Sequence, residues 1–144
     1  MSVATVLLVD DEKAFVEAMT RRLTKRDVDV RAAFSGQECL DALAAAPDVE
    51  VVVLDVKMPG IDGVDTLKRI KAEYPLVEVI MLTGHATVET AIDGMKLGAF
   101  DYLMKPSDMD VLMEKIDAAA TKKRQHEEKI IEARAQSIAL RRGD

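Results

Sequence analysis

The chain alternates between short apolar runs that end in polar residues and longer stretches whose apolar positions recur every three to four residues. The clearest run is Val51-Val52-Val53-Leu54, which passes directly into Asp55 and then into Val56-Lys57-Met58-Pro59-Gly60. A continuous β-branched run of this kind predicts a strand buried on both faces, as in parallel sheets. Pro59-Gly60 then breaks the chain. Residues 3–9 predict an earlier strand ending in Asp10-Asp11. Residues 12–25 follow as a helix, with Phe15, Met19 and Leu23 on one face. Residues 28–34 alternate apolar and polar, which predicts an edge strand. Ser35 and Glu38 have the spacing of a capping box, opening a helix that carries Leu40 and Leu43 and closes at Pro47.

Asp62 is placed to cap a third helix with Val64, Leu67, Ile70 and Lys71 along it, and Pro75 lies beyond its end. Residues 77–82 predict the fourth strand, ending in Thr83-Gly84-His85. Val88, Ala91, Ile92 and Met95 recur as in an amphipathic fourth helix, which Gly98 ends. Residues 99–104 predict the fifth strand, ending in Lys105-Pro106, and Ser107 to Asp110 can cap the last helix. Leu112, Met113, Ile116 and Ala120 form its apolar stripe.

Five successive strand–helix units demand parallel crossovers with helices on both faces of the sheet. The predicted fold is α/β: a doubly wound, flavodoxin-like (βα)5 sandwich with strand order 2-1-3-4-5. The last helix exceeds what such a layer needs. Its apolar and polar pattern continues to residue 141, a length of ~51 Å at 1.5 Å per residue, against ~17–20 Å for a usual strand. Residues 1–121 are therefore expected to form the domain, and 122–144 a projecting extension of the last helix.

Composition adds few constraints. The chain has 144 residues, 49% hydrophobic and 32% charged, an ordinary globular balance for one domain. A single cysteine, Cys39, excludes an internal disulfide framework and is expected as a small core residue. No basic segment precedes a long apolar run at the N-terminus, so no signal peptide is expected, and no apolar run approaches the ~20 residues of a membrane span. A cytoplasmic location follows as the expectation. The net charge of −6 is uneven: residues 121–144 hold seven Lys/Arg and four Asp/Glu, so the tail carries +3 and the other 120 residues −9. An acidic body argues against direct nucleic-acid binding.

The polar residues at the strand ends carry the chemistry. A parallel sheet brings Asp10, Asp11, Asp55, Thr83 and Lys105 to one edge, the edge where open α/β sheets bind ligands. Clustered carboxylates repel and raise one another's pKa, and a divalent cation relieves that repulsion. All-oxygen ligands with a phosphate nearby suit Mg²⁺. A carboxylate can also serve as a nucleophile that forms an aspartyl phosphate. Lys105 could then neutralise a phosphoryl oxygen and the Thr83 hydroxyl donate to another.

Four segments together resemble the receiver domain of two-component response regulators: Leu7-Leu8-Val9-Asp10-Asp11-Glu12; Asp55 with Met58-Pro59-Gly60; Thr83-Gly84-His85-Ala86; and Phe100-Asp101-Tyr102-Leu103-Met104-Lys105-Pro106. The resemblance covers residues 4–120. It implies a signalling switch rather than an enzyme, one that only assists its own phosphoryl transfer and dephosphorylation. Asp55 would be the phosphoacceptor, supplied by a histidine kinase or phosphotransfer protein. Asp11, Asp55 and the Lys57 carbonyl would ligate Mg²⁺ directly, and Asp10 through a water. Lys105 would bond the phosphoryl group. Thr83 and Tyr102 would act as switch residues that remodel the surface of the fourth helix, fifth strand and fifth helix. The Lys105-Pro106 bond is expected to be cis. Lys57 and His85 border the phosphoryl position and are expected to set its lifetime.

The Thr83 segment and long last helix also resemble receivers that precede an ATPase output domain in transcription activators. For residues 122–144 three readings stand: a solvated helix, pairing with a second copy, or binding another partner. A homodimer is one possibility, either there or through the surface of the fourth helix, fifth strand and fifth helix. His126 is expected to be solvent-exposed, and the methionines to be core filler. Three alternatives come from other classes. An aspartyl-nucleophile phosphohydrolase would place an Asp-x-Asp pair after the first strand, where this chain has Asp10-Asp11. A flavodoxin-like cofactor binder would need a phosphate loop there. A phosphate-independent interaction module would lack parts of the site.

Overall fold

The computed structural model describes residues 2–84 and 87–142, with the side chain of Arg142 excepted. Five strands, β1 (Ala4–Val9), β2 (Val28–Ala33), β3 (Val51–Leu54), β4 (Glu78–Thr83) and β5 (Asp101–Met104), form one parallel sheet in the order β2-β1-β3-β4-β5. Five helices connect or follow them: α1 (Lys13–Thr24), α2 (Gly36–Ala45), α3 (Gly63–Glu73), α4 (Val88–Lys96) and α5 (Met109–Arg142). The expected architecture is therefore the observed one. After β2 the chain returns to the other side of β1, so a topological switch point lies between β1 and β3.

The two faces of the sheet follow from the pleat. Leu7, Val9, Val52, Leu54, Val79 and Met81 point to one side and pack with Cys39 and Leu43 of α2 and Leu67 and Ile70 of α3. Val6, Leu8, Val51, Val53, Ile80 and Leu82 point to the other and pack with Val16, Met19 and Leu23 of α1 and Leu112 and Ile116 of α5. Every residue of β3 and β4 is buried, as the unbroken apolar runs require. The edge strand β2 mixes buried and exposed positions.

Helix starts are set by side-chain caps. Asp62 accepts the Asp65 N–H at 2.8 Å, and Ser35 accepts the Glu38 N–H at 3.1 Å. A full capping box forms at Thr87 and Thr90, where each side chain meets the other's backbone N–H. At α5, Asp108 accepts the Asp110 N–H at 2.8 Å.

Three expectations need correction. The apolar stripe of α4 does not face the core: Val88 is 79% exposed, and Ile92 and Met95 are each 48% exposed. The helix instead rests on the body through Gly94, beside the Tyr102 ring, and through Leu97. Met95 and Met104 are accordingly surface residues and not core filler. His126 is half-buried, because α5 stays against the body past its first four turns. There Arg124 pairs with Glu50 and donates to the Val3 carbonyl at 2.9 Å. From Glu128 to Arg141 every residue of α5 is exposed.

Candidate phosphoryl and metal site

The site stands at the carboxyl end of the sheet, across the switch point. β1 and β3 run in register with Val9 opposite Leu54, so the next residues, Asp10 and Asp55, come out side by side. Backbone bonds continue the ladder past its end: Asp55 N–H donates to the Val9 carbonyl at 3.0 Å, and Asp10 N–H to the Ala33 carbonyl at 3.2 Å. On the far side β4 and β5 pair Thr83 with Met104, and Lys105 N–H donates to the Thr83 carbonyl at 2.9 Å. The ladders thus bring Asp10, Asp11, Asp55, Thr83 and Lys105 to one edge.

Asp10 and Asp55 are buried, while Asp11 is exposed. Each of the three offers a carboxylate oxygen within 4.8 Å of the others. Asp55 Oδ1 accepts the Val56 N–H at 2.8 Å. Asp10 Oδ1 accepts the Glu12 N–H at 2.9 Å, and its Oδ2 meets Lys105 Nζ at 2.5 Å. Burial raises the Asp10 pKa above the ordinary carboxylate value; the Lys105 and Glu12 hydrogen bonds oppose this, and the charge of Asp55 adds to it. The cluster is therefore short of positive charge, with Lys105 as its partner cation at Asp10. Its donors are all hard oxygens, and it opens into a cleft of about 340 Å³ lined by Asp11, Glu12, Asp55, Lys57, Met58 and Pro59. That donor set fits a small hard divalent ion such as Mg²⁺.

Thr83 is fully buried at the last position of β4. Tyr102 is half-buried, and its hydroxyl shares a hydrogen bond with Thr90 Oγ1 at 2.9 Å. Lys57 is exposed and lines the cleft. The Lys105–Pro106 peptide is cis. His85 lies outside the described residues.

Four residues at or near this edge carried no site role in the sequence patterns. Glu12 lines the cleft and stands 3.8 Å from Lys105 Nζ, although its place beside Asp10-Asp11 could have signalled it. Phe15 lies beneath Lys105 with its ring centroid 3.9 Å from Nζ. Thr90 links Tyr102 to α4, and the Thr-x-x-Thr spacing was its signal. Gly63 is the fourth: a Cβ there would lie 2.1 Å from the Asp55 carbonyl oxygen and 2.6 Å from Val56 Cα. Only glycine lets the start of α3 sit this close to the Asp55 backbone, where Gly63 N–H donates to the Val56 carbonyl at 2.7 Å.

Comparison with known proteins accords with this geometry. Residues 6–117 match the family model described as the response regulator receiver domain. The DNA-binding transcriptional regulator NtrC of Klebsiella pneumoniae is 39% identical over 113 residues, covering 78% of this chain and 24% of that protein. A putative NtrX-like response regulator of Rickettsia conorii is 39% identical over 115 residues, with the same coverage. Among solved structures, a receiver domain protein from Clostridium thermocellum superposes with a TM-score of 0.81 at 36% identity, covering 85% of this chain and 98% of that one. NtrX from Brucella abortus superposes with a TM-score of 0.79 at 30% identity, over 89% of this chain and 29% of its own. The chain spans about a quarter of the length of the curated relatives it matches. It belongs to the response regulator receiver domain family of two-component systems, whose general function is phosphorylation-dependent switching.

Proposed function

We propose that Asp55 accepts a phosphoryl group from the phosphohistidine of a histidine kinase or phosphotransfer protein, and that the phosphorylated state is relayed through α4, β5 and α5. The observation that carries this is the meeting of Asp10, Asp11, Asp55 and Lys105 at one sheet edge. Asp55 Oδ1 accepts the Val56 N–H, and in this reading Oδ2 attacks the phosphorus. The phosphorus–nitrogen bond breaks as the oxygen–phosphorus bond forms, and the imidazole leaves with its electron pair. Asp10, Asp11, Asp55 and the Lys57 carbonyl would hold Mg²⁺, which supplies charge neutralisation at the phosphoryl oxygens. Lys105 exchanges Asp10 for a phosphoryl oxygen, and the Thr83 hydroxyl donates to another.

Hydrolysis needs a water in line with the new bond; Lys57, which lines the cleft, and His85, two residues after Thr83 in sequence, are the residues to which we give control of the lifetime. Tyr102 connects the site to the output surface through Thr90 on α4. That surface carries the exposed Val88, Ile92, Met95, Met104 and Val111, apolar area suited to a partner or a second copy. The α5 extension, residues 122–144, is the other candidate for self-pairing. Phosphorylation shifts the balance of two conformations, and the partner reads the shift.

Intact mass after incubation with Mg²⁺ and acetyl phosphate tests the proposal. Wild type gains a single adduct of about 80 Da, EDTA abolishes it, and Asp55→Asn never shows it. An adduct that persists on Asp55→Asn overturns the assignment.

A further inference from the structure

Each of the three phenylalanines stands beneath a lysine ammonium, but not equally. Lys13 lies 5.8 Å from the Phe34 centroid and Lys122 lies 5.7 Å from that of Phe100, both near the ~6 Å limit of a cation–π contact. Lys105 lies 3.9 Å from the Phe15 centroid, in direct contact with the ring face. Its side chain is 15% exposed, so the contact is largely desolvated. The ammonium is held on three sides: Asp10 at 2.5 Å, Glu12 at 3.8 Å, and the ring.

These holders differ in what a bound cation does to them. Asp10 belongs to the carboxylate cluster, and Glu12 lines the same cleft. A divalent ion competes with Lys105 for their charge and repels the ammonium directly. The ring is no ligand for a hard ion, which takes oxygen. Its attraction for the ammonium comes from the quadrupole of its π face and survives when the carboxylates are drawn to the metal.

We propose that Phe15 is a positioning residue for Lys105: its ring keeps the ammonium over the cleft while Lys105 exchanges a carboxylate for the phosphoryl group. The inference rests on the role given to Lys105 above. Without the ring, Mg²⁺ would release the lysine toward solvent, and each transfer would have to recapture it.

Two measurements test this on the full chain. The first is the NMR position of the Lys105 ε-methylene protons, assigned by their loss in Lys105→Arg. In wild type they lie upfield of the other lysines through the ring current, with and without Mg²⁺. Phe15→Tyr keeps the shift; Phe15→Leu and Phe15→Met lose it. The second is the rate of phosphorylation by acetyl phosphate at saturating Mg²⁺. Phe15→Leu and Phe15→Met are slower by about threefold to thirtyfold, the range such a contact provides, and Phe15→Tyr recovers the wild-type rate. A ring that only packs α1 would make all three variants alike, because Leu and Met fill the same apolar space. Equal rates across the variants, or an upfield shift that vanishes when Mg²⁺ is added, overturns the proposal. If wild type accepts no phosphoryl group, the switch function falls, and the NMR shift alone decides whether Phe15 holds Lys105.

Discussion

The two edges of the sheet both end in carboxylates, and they handle them in opposite ways. At the carboxyl edge three aspartates crowd within 4.8 Å, with Lys105 bonded to Asp10. At the amino edge Glu50 precedes β3 and Glu78 begins β4, and α5 brings a cation to each, although the buried Glu78 Oε2 keeps no hydrogen-bond partner. Arg124 grips Glu50 with two nitrogens, at 2.6 and 2.9 Å, while the Thr5 N–H donates to the same carboxylate at 3.0 Å. Lys122 reaches within 3.6 Å of the buried Glu78. Acid paired inside the chain is structure. Acid left in excess inside a cleft is a binding site for whatever supplies the missing charge.

The largest effects are expected at the unpaired edge, and they are functional. Beyond the loss of the adduct in Asp55→Asn, Asp11→Asn weakens Mg²⁺ binding by at least about tenfold, a loss seen even for residues that only support metal ligands. Titration calorimetry measures it directly. No matching sensitivity to Mg²⁺ arises at Glu50, so Glu50→Gln leaves the affinity unchanged; a parallel loss there would erase the distinction between the edges.

Next in size is Gly63→Ala. The added Cβ meets backbone, not a flexible side chain, so the β3–α3 loop or α3 itself must move. The cost is about 1–3 kcal/mol of stability, together with slower phosphorylation, because Asp55 moves with its backbone. Gly94→Ala is the control: its nearest neighbour is a Tyr102 ring atom at 3.5 Å, an ordinary contact. Thermal melts of the two variants should separate clearly, and equal melting points would show that the close approach at Gly63 does not constrain the loop.

The edges also show what a sequence exposes and what it hides. The strand runs 51–54 and 79–82 are apolar throughout because both faces are covered, so the strands and the residues after them could be placed from pattern alone. A parallel sheet then forces Asp10, Asp55 and Lys105 together without any knowledge of side chains. The α4 stripe misled for the opposite reason. Periodicity identifies an apolar face but not what covers it, and here Gly94 and Thr90 meet Tyr102 while Val88 and Ile92 face solvent. The Phe15–Lys105 and Glu50–Arg124 contacts join residues 90 and 74 positions apart, and no local pattern encodes either. The boundary at residue 122 likewise left out Lys122 and Arg124, whose partners Glu78 and Glu50 lie far away in sequence.

A smaller effect distinguishes the edges in metal-free protein. The Asp10 pKa is raised above the ordinary value of 3.8, chiefly by burial. Folding then favours the protonated form, so stability falls as pH rises from about 3.8 through the folded-state value, and the full cost is present at neutral pH. Asp10→Asn removes that cost and keeps an oxygen for the Glu12 N–H. It should raise stability at pH 7 by about 1 kcal/mol, a gain typical of relieving a strained functional site, while weakening Mg²⁺ binding. Denaturant melts without metal measure the gain; a variant less stable than wild type would mean that the Lys105 pair outweighs burial.

The smallest effect has the opposite sign and belongs to Glu50. Burial alone would raise its pKa, but the hydrogen bonds from Arg124 and the Thr5 N–H, with the charges of Arg124 and Lys123, bring it below the usual 4.5. A depressed carboxylate stabilises the fold above its unfolded-state value and loses that contribution as pH falls from about 4.5 through the folded-state value. Glu50→Gln therefore lowers stability at pH 7 by roughly 0.5–1 kcal/mol, the scale of a pair with one largely exposed partner, and this deficit shrinks toward zero as pH falls below 4.5. Arg124→Ala shows the same convergence, and it also loosens the middle of α5 from the body, which amide exchange along residues 120–130 would register as faster opening. If Glu50→Gln ran parallel to wild type across that acid range, the amino edge would owe its stability to packing of α5 on the sheet, and charge matching would be a consequence of where the helix lies.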